Sequence, residues 1–305
     1  MKQRSVFVFL VLLLFLAGTV LSAQESGSIS DRGYANPDAL ISAEELRSIM
    51  DEDDVKVIDF RNTSSFITGH IPGAIQIGLS ELEDGSAKYP TMRAPAEQTA
   101  EVLASKGISP TETIVVYDDN GLWGARIWWL LEMYGHEDVR LLDGGLNRWK
   151  ELGYNTRIMG SRRRAGEYEF SSPGTDTLAT LSDVQSAIDN ETIILDSRSW
   201  AEYTGETVAR GAGEGGRIPS SVWVEWTEAV NADGTFKSAS ELREIYSEAG
   251  ISGDAPVIAY CQGGVRGAHS FFVLHALLGF SDVSNYDGSW IEWSNEPGLP
   301  ISRGE

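Results

Sequence analysis

The chain has 305 residues, 42% hydrophobic and 10% aromatic with nine Trp, which at roughly 100–200 residues per domain means two domains that can each bury a core; wholesale disorder is excluded. Its 45 Asp and Glu against 24 Lys and Arg give a net charge of −21, which repels nucleic-acid phosphates and anionic lipid and argues against a polyanion-binding role. The single cysteine, Cys261, rules out an intramolecular disulfide and a cysteine cluster for structural zinc.

At the N-terminus Lys2 and Arg4 precede an unbroken apolar run over residues 6–16; small residues follow to Leu21-Ser22-Ala23, and Gln24-Glu25-Ser26 turns polar. This is the order of a secretory signal peptide, and the run is well short of the ~20 residues that span a bilayer. The sequence therefore predicts a signal over residues 1–23, removed on export to the periplasm or beyond the bacterial cell envelope, with no membrane attachment afterwards. An uncleaved anchor is the alternative. In an oxidising compartment a lone thiol has to be deeply buried or put to use.

Residues 38–155 and 179–305 then read as two copies of one plan. Short apolar runs over residues 56–58 and 114–117, and again over 193–195 and 257–260, predict strands buried on both faces. Amphipathic stretches lie between them, such as residues 42–50, with Ser42 as cap and Glu45 three residues on, and residues 238–249. Strands interleaved with helices predict an α/β fold, in each copy a mainly parallel sheet with helices on both faces. Residues 156–178, with Arg162-Arg163-Arg164, Ser171-Ser172-Pro173-Gly174 and little periodicity, predict the linker.

The copies agree in order as well as in pattern. Val57-Ile58-Asp59-Phe60-Arg61 matches Ile194-Leu195-Asp196-Ser197-Arg198, and Gly69-His70-Ile71-Pro72 matches Gly216-Arg217-Ile218-Pro219. Further on, Lys106-Gly107-Ile108-Ser109 parallels Ala249-Gly250-Ile251-Ser252, and Asp143-Gly144-Gly145 with Trp149 answers Asp287-Gly288-Ser289 with Trp293. The second copy is longer by an insertion around residues 206–215. A tandem duplication accounts for all of this.

The second copy carries the chemistry. Its strand over residues 257–260 runs straight into Cys261-Gln262-Gly263-Gly264-Val265-Arg266 and then into a helical apolar pattern. Ligand sites sit where parallel strands end and helices begin. Gly263 and Gly264 remove Cβ atoms from the turn, so that successive backbone N–H groups can form an anion-binding nest. The helix N-terminus and Arg266 add positive charge, and all three features favour thiolate over thiol. Cys261 is thus a candidate nucleophile, where a merely structural cysteine needs neither nest nor arginine. Aligned on Tyr117 and Tyr260, the first copy puts Asp118 opposite Cys261 and Trp123 opposite Arg266, so it lacks both groups and one active site per chain follows.

These residues, with Asp196-Ser197-Arg198, Gly216-Arg217-Ile218-Pro219 and Tyr286-Asp287-Gly288-Ser289-Trp290-Ile291-Glu292-Trp293, resemble a tandem-domain rhodanese, a sulfurtransferase of the thiosulfate or 3-mercaptopyruvate type. The likeness runs from about Leu40 to Ile301. It implies two three-layer rhodanese-like domains, the second catalytic, with the site at the domain interface. It also implies that Cys261 takes the outer sulfur of thiosulfate as a persulfide and passes it to cyanide or a thiol acceptor. The amides of Gln262, Gly263, Gly264, Val265 and Arg266 would cradle that sulfur, and Arg198 would hold the donor's sulfonate. For Arg198 the other reading is a structural partner for a neighbouring carboxylate, which its counterpart Arg61 supports.

Gln262-Gly263 matches neither the cationic pair of mammalian-type thiosulfate enzymes nor the Gly-Ser pair of mercaptopyruvate enzymes, so 3-mercaptopyruvate is the alternative donor. From another class, the chain could be a non-catalytic exported sulfur carrier or anion-binding module. Related phosphatases place five residues between Cys and Arg, whereas Cys261 and Arg266 have four between them. His269 and His275 stand at i and i+6, not a metal-binding spacing; neither metal nor cofactor is expected. Trp200, Trp223, Trp226 and Trp290 are candidates to wall the site.

Overall fold

The computed structural model describes residues 28–160 and 163–304; the expected signal over 1–23 lies outside the described residues. The first sheet comprises β1 (Leu40–Ile41), β2 (Val55–Asp59), β3 (Ile75–Gln76), β4 (Thr113–Tyr117) and β5 (Val139–Leu142) in the order β1-β5-β4-β2-β3, all neighbours parallel. Its helices are α1 (Ala43–Ile49), α2 (Thr63–Thr68), α3 (Ala96–Ser105), α4 (Leu122–Met133) and α5 (Gly145–Glu151). The second sheet repeats the plan with β6 (Leu178–Ala179), β7 (Ile193–Asp196), β8 (Val222–Trp223), β9 (Val257–Tyr260) and β10 (Val283–Tyr286), ordered β6-β10-β9-β7-β8 and again parallel. Around it lie α6 (Leu181–Ala187), α7 (Trp200–Thr204), α8 (Ala239–Glu248), α9 (Val265–Phe272) and α10 (Ser289–Trp293).

The three layers follow from strand alternation. In β4, Ile114 and Val116 enter one core with Leu103 of α3 and Trp129 of α4, while Val115 and Tyr117 enter another with Leu46 of α1 and Phe66 of α2. In β9, Val257 and Ala259 share a core with Phe271 and Phe272 of α9, and Ile258 and Tyr260 face Val184 of α6. Each large apolar side chain so buried contributes about 1.5–3 kcal/mol. Helix entry is set locally: Ser42 with Glu45 and Ser238 with Glu241 form reciprocal capping boxes, each cap worth about 1 kcal/mol.

The two domains share a core. Helices α4 and α9, each following a central strand, pack against one another, with Trp128 edge-on to Phe272 at 4.8 Å. Residues 156–160 and 163–178 run back along the first domain. Arg157 exchanges backbone hydrogen bonds with His70 at 2.8 Å, Tyr168 Oη meets His136 Nδ1 at 2.6 Å, and Phe170 packs on Tyr134. The loops after β4 and β9 therefore lie close to the surface where the domains meet.

Candidate active site

Cys261 sits at the end of β9, only 1% exposed. The backbone around it is clasped by the start of α10: Trp290 N–H donates to Cys261 C=O and Ile291 N–H to Gln262 C=O, both at 2.9 Å. Ser289 completes the clasp. Its Oγ accepts from Cys261 N–H at 3.1 Å and Gly264 N–H at 2.9 Å and donates to Tyr286 C=O at 2.7 Å. To reach there Ser289 takes a left-handed φ of 52°, a conformation that costs a non-glycine residue free energy.

The first copy holds the same backbone with a different occupant. Leu146 N–H donates to Asp118 C=O and Asn147 N–H to Asp119 C=O, at 2.9 and 3.0 Å. Inside that loop the Asp118 carboxylate accepts from the amides of Gly121, Trp123 and Gly124 at 2.6, 3.2 and 3.3 Å. Burial raises its pKa to about 6, against the pull of those donors. The ring of amides at this helix N-terminus is thus a working anion cradle. The matching positions in the second copy are Gly264, Arg266 and Gly267.

The residues expected to form the cradle lie around Cys261, which follows β9. The Gly264 amide is taken by Ser289, and Gly263 lies against the first domain, where a Cβ would stand 2.4 Å from Thr91 Oγ1. Gln262 turns its side chain to Arg210 C=O at 3.2 Å, and Val265 opens α9. The amides of Val265, Arg266 and Gly267 lie in the first turn of α9, where N–H groups lack intrahelical partners. Gly267 and Ser289 were not singled out as site residues in the sequence. The signal available was the pairing of Ser289 with Gly145, a side chain in one copy where the other has none.

Arg266 lies close enough to Cys261 for the sulfur's charge to act on its guanidinium. Burial works against the Arg266 charge, but Glu202 and Cys261 together raise its pKa above the ordinary arginine value. Glu202 of α7 receives it in a two-bond fork, at 2.6 and 2.9 Å. Burial alone would raise the Glu202 carboxyl; Arg266 and the Ser199 donors outweigh it and bring it down to about 2.

Arg198, expected to hold the donor, is bound within the fold through Nε and Nη2. It is 1% exposed; Nε bonds Asp196 Oδ1 at 2.9 Å, and Nη2 bonds Asp196 Oδ2 at 2.6 Å and Gly216 C=O at 2.7 Å. The Trp290 ring covers it at 4.7 Å, and Tyr260 Oη donates to the same carboxylate. Arg61 repeats these bonds in the copy without a cysteine, to Asp59 at 2.9 and 2.6 Å and Gly69 C=O at 2.8 Å with Tyr117 Oη on Asp59 at 2.6 Å, and adds one from Nη1 to Asp119 at 3.2 Å. A constellation shared by both copies has a use in the fold. It ties the strand end to the Gly-x-Ile-Pro turn.

Of the four tryptophans, Trp290 is buried beside the loop, with Nε1 on Glu214 C=O at 3.0 Å. Trp223 donates to Arg198 C=O and carries Trp200, 43% exposed, edge-on at 5.0 Å. Trp226 turns away, edge-on to His269. The insertion over 206–215 lies on the cysteine loop and α10, through Arg210 to Gln262, Glu214 to Trp290 and Gly211 to Asn295. Burial pushes His269 down to about 3 and keeps it neutral.

Both halves of the chain match the rhodanese-like domain, over residues 42–152 and 180–296. The chain belongs to the rhodanese family. A Haloferax volcanii protein named "Putative thiosulfate sulfurtransferase" is 38% identical over 289 residues, 90% of this chain and 100% of that one. The sulfur carrier protein TtuD of Thermus thermophilus is 37% identical over 289 residues, 90% of this chain and 99% of its own. Among solved structures, YnjE superposes with a TM-score of 0.80 at 26% identity, covering 89% of this chain and 70% of that chain. EanB in complex with ergothioneine does so at 0.79 and 26%, covering 88% and 71%. Sulfurtransferase relatives imply a sulfur donor and an acceptor in general. Among the described residues of this rhodanese no helix is long and apolar enough to cross a membrane.

Proposed function

We propose that this rhodanese transfers sulfane sulfur from thiosulfate to cyanide or a thiol through a persulfide on Cys261. The observation that carries the reading is the filled cradle of the first copy: the same loop backbone that closes on the Asp118 carboxylate presents Cys261 in the second, beside Arg266. The Cys261 thiolate attacks the outer sulfur of thiosulfate, forming the Cys261 S–S bond while the donor's S–S bond breaks. Sulfite leaves with the electron pair. Negative charge now rests on the terminal sulfur, where the Arg266 and Gly267 amides and the Arg266 guanidinium stabilise it. Cyanide attacks that sulfur, thiocyanate departs, and the Cys261 thiolate returns. Arg266, forked on Glu202, and Arg198, bound to Asp196, are the two cations we assign to the donor's anionic end, Arg266 first.

The test is steady-state transfer with thiosulfate and with 3-mercaptopyruvate. Parallel double-reciprocal lines, one extra sulfur atom on Cys261 by mass spectrometry after donor alone, and loss of both in Cys261→Ser are the expected results. Turnover that survives Cys261→Ser would sink the reading; a parent protein that takes up sulfur but does not turn over would favour the carrier role that TtuD's name describes. We place this chemistry in an exported protein on the pattern of residues 1–23, a reading that N-terminal sequencing of the protein from the cell envelope checks.

A further inference from the structure

The domain without the cysteine reaches into the reactive loop. Arg126 of α4, buried at 4% exposure, donates through Nη2 to Thr91 C=O at 2.9 Å and through Nη1 to Gly264 C=O at 3.4 Å, and it is ion-paired with Asp287. Its guanidinium also rests on the Trp129 ring at 4.7 Å. Asp287 receives a second first-domain donor, the Arg93 amide at 2.8 Å. Two residues beyond Asp287 stands Ser289, whose Oγ holds the amides of Cys261 and Gly264. One arginine from the first domain is therefore a single bond away from both segments that shape the cysteine loop.

Thr91 adds an independent observation. It is β-branched yet sits at a left-handed φ of 67°, where the matching residue of the second copy is Gly234 at 82°. Such strain persists only where its surroundings impose it. Here the Arg126 bond to its carbonyl fixes the residue, and Thr91 Oγ1 lies where Gly263 has no side chain.

Domain docking alone does not call for this arrangement, as the other half of the interface shows. There Asp143 receives the Phe236 amide at 2.9 Å just as Asp287 receives that of Arg93. The residue matching Arg126 is His269, packed between Trp226 and Phe236 with neither ring nitrogen hydrogen-bonded. The arginine and the strained threonine occur only on the side that meets the cysteine.

We propose that Arg126, acting with Thr91, is a positioning residue for sulfur transfer: the first domain is retained because it holds the Cys261 loop in its reactive shape. The inference rests on the assignment of Cys261 as nucleophile. Its test measures kcat and KM for sulfur transfer and, separately, the rate at which iodoacetamide alkylates Cys261, in Arg126→Lys, Arg126→Met and Thr91→Gly. Thr91→Gly relieves strain, so it folds at least as well as the parent, and any loss in it is not unfolding.

Arg126→Met should lower kcat and the alkylation rate by roughly tenfold to a hundredfold, the scale expected for a misplaced reacting group, with donor KM little changed. Arg126→Lys should recover part of that loss, and Thr91→Gly should show a smaller loss with a Tm at or above the parent's. If Arg126→Lys and Thr91→Gly keep the parent kcat and alkylation rate, the inference is overturned, whether or not Arg126→Met folds. A parent protein with no transfer activity would sink the proposed function and leave the alkylation rates to decide this one.

Discussion

In the loop after β4 the amides of Gly121, Trp123 and Gly124 close on the chain's own Asp118 carboxylate; in the loop after β9 Cys261 takes the place of that aspartate, and the matching Gly264 amide turns to Ser289 instead. The backbone is the same in both, down to the pair of amides that clasp residues 118–119 and 261–262 from the following helix. Anion binding by amides thus belongs to the loop backbone rather than to the cysteine. What differs is whether the loop fills itself with a carboxylate or carries a thiol. The mouth differs too: Trp123, where the second copy has Arg266, tilts against Phe60 over a cavity of about 270 Å³ above Asp118 and Asp119.

The strongest way to break the comparison is to make the loops alike. Cys261→Asp should fold, with its carboxylate bound by the helix amides as in the first copy, and should show no sulfur transfer at all. A melting temperature near or above the parent's, together with absent turnover, is the expected pair of readings. A variant that fails to fold would mean that the second loop is not the anion cradle the first one is. The reciprocal graft, Asp118→Cys with Trp123→Arg, should stay inactive. Ser65 stands where Glu202 should meet the new arginine, and Gly145 stands where Ser289 should hold the loop.

Next in size are the two buried arginines, where the copies are expected to behave identically. Arg198→Met and Arg61→Met each strand a buried aspartate, a loss of about 3–5 kcal/mol when one partner of such a pair is removed. Equal falls in urea-unfolding free energy would confirm a shared structural role. If Arg198→Met instead kept its stability and lost affinity for thiosulfate, Arg198 would act on the donor rather than in the fold.

That pair also shows where the sequence could be read and where it could not. Strands buried on both faces are continuous apolar runs, so β2, β4, β7 and β9 are visible, as is the capping box at Ser42. The duplication marks Cys261 and Arg266 by their absence from the first copy. It equally marks Arg198 as shared with Arg61, which fits a part in the fold, while the family likeness implies donor binding. Thr91, Arg126 and Ser289 carry no local pattern. Their meaning comes from contacts between segments far apart in the chain, and from φ angles that composition does not reveal.

A charge present in only one copy gives the third test. Glu202 titrates near 2, below its ordinary 4.5, because Arg266 and the Ser199 donors overcome its burial. A carboxyl depressed on folding contributes its full stability above the unfolded value and loses it as pH falls toward the folded one, so the effect disappears between about 4.5 and 2. Glu202 is 11% exposed at its side chain, and the shift corresponds to about 2–3 kcal/mol. Glu202→Gln should be destabilised by that order at pH 7, and the difference from the parent should close through this acid window. A constant difference down to pH 2 would mean the Arg266 pair contributes nothing.

The smallest expected change in stability, and the sharpest separation of stability from function, lies at Ser289. Ser289→Gly restores the residue of the first copy, where Gly145 sits at φ 58° against 52° here. Relief of a left-handed non-glycine residue gains on the order of 1 kcal/mol, while loss of the hydroxyl forfeits a hydrogen bond of about the same net worth. The melting temperature should therefore barely move. The Cys261 and Gly264 amides, however, lose their common acceptor, and Gly264 N–H becomes a competing donor for whatever anion occupies the loop. Sulfur transfer should slow while Ser289→Ala, which keeps the strain and loses the same bonds, slows transfer equally and also loses stability. If the glycine variant transfers sulfur at the parent rate, the hydroxyl is not what keeps the second loop open, and the difference between the copies reduces to the cysteine and its arginine alone.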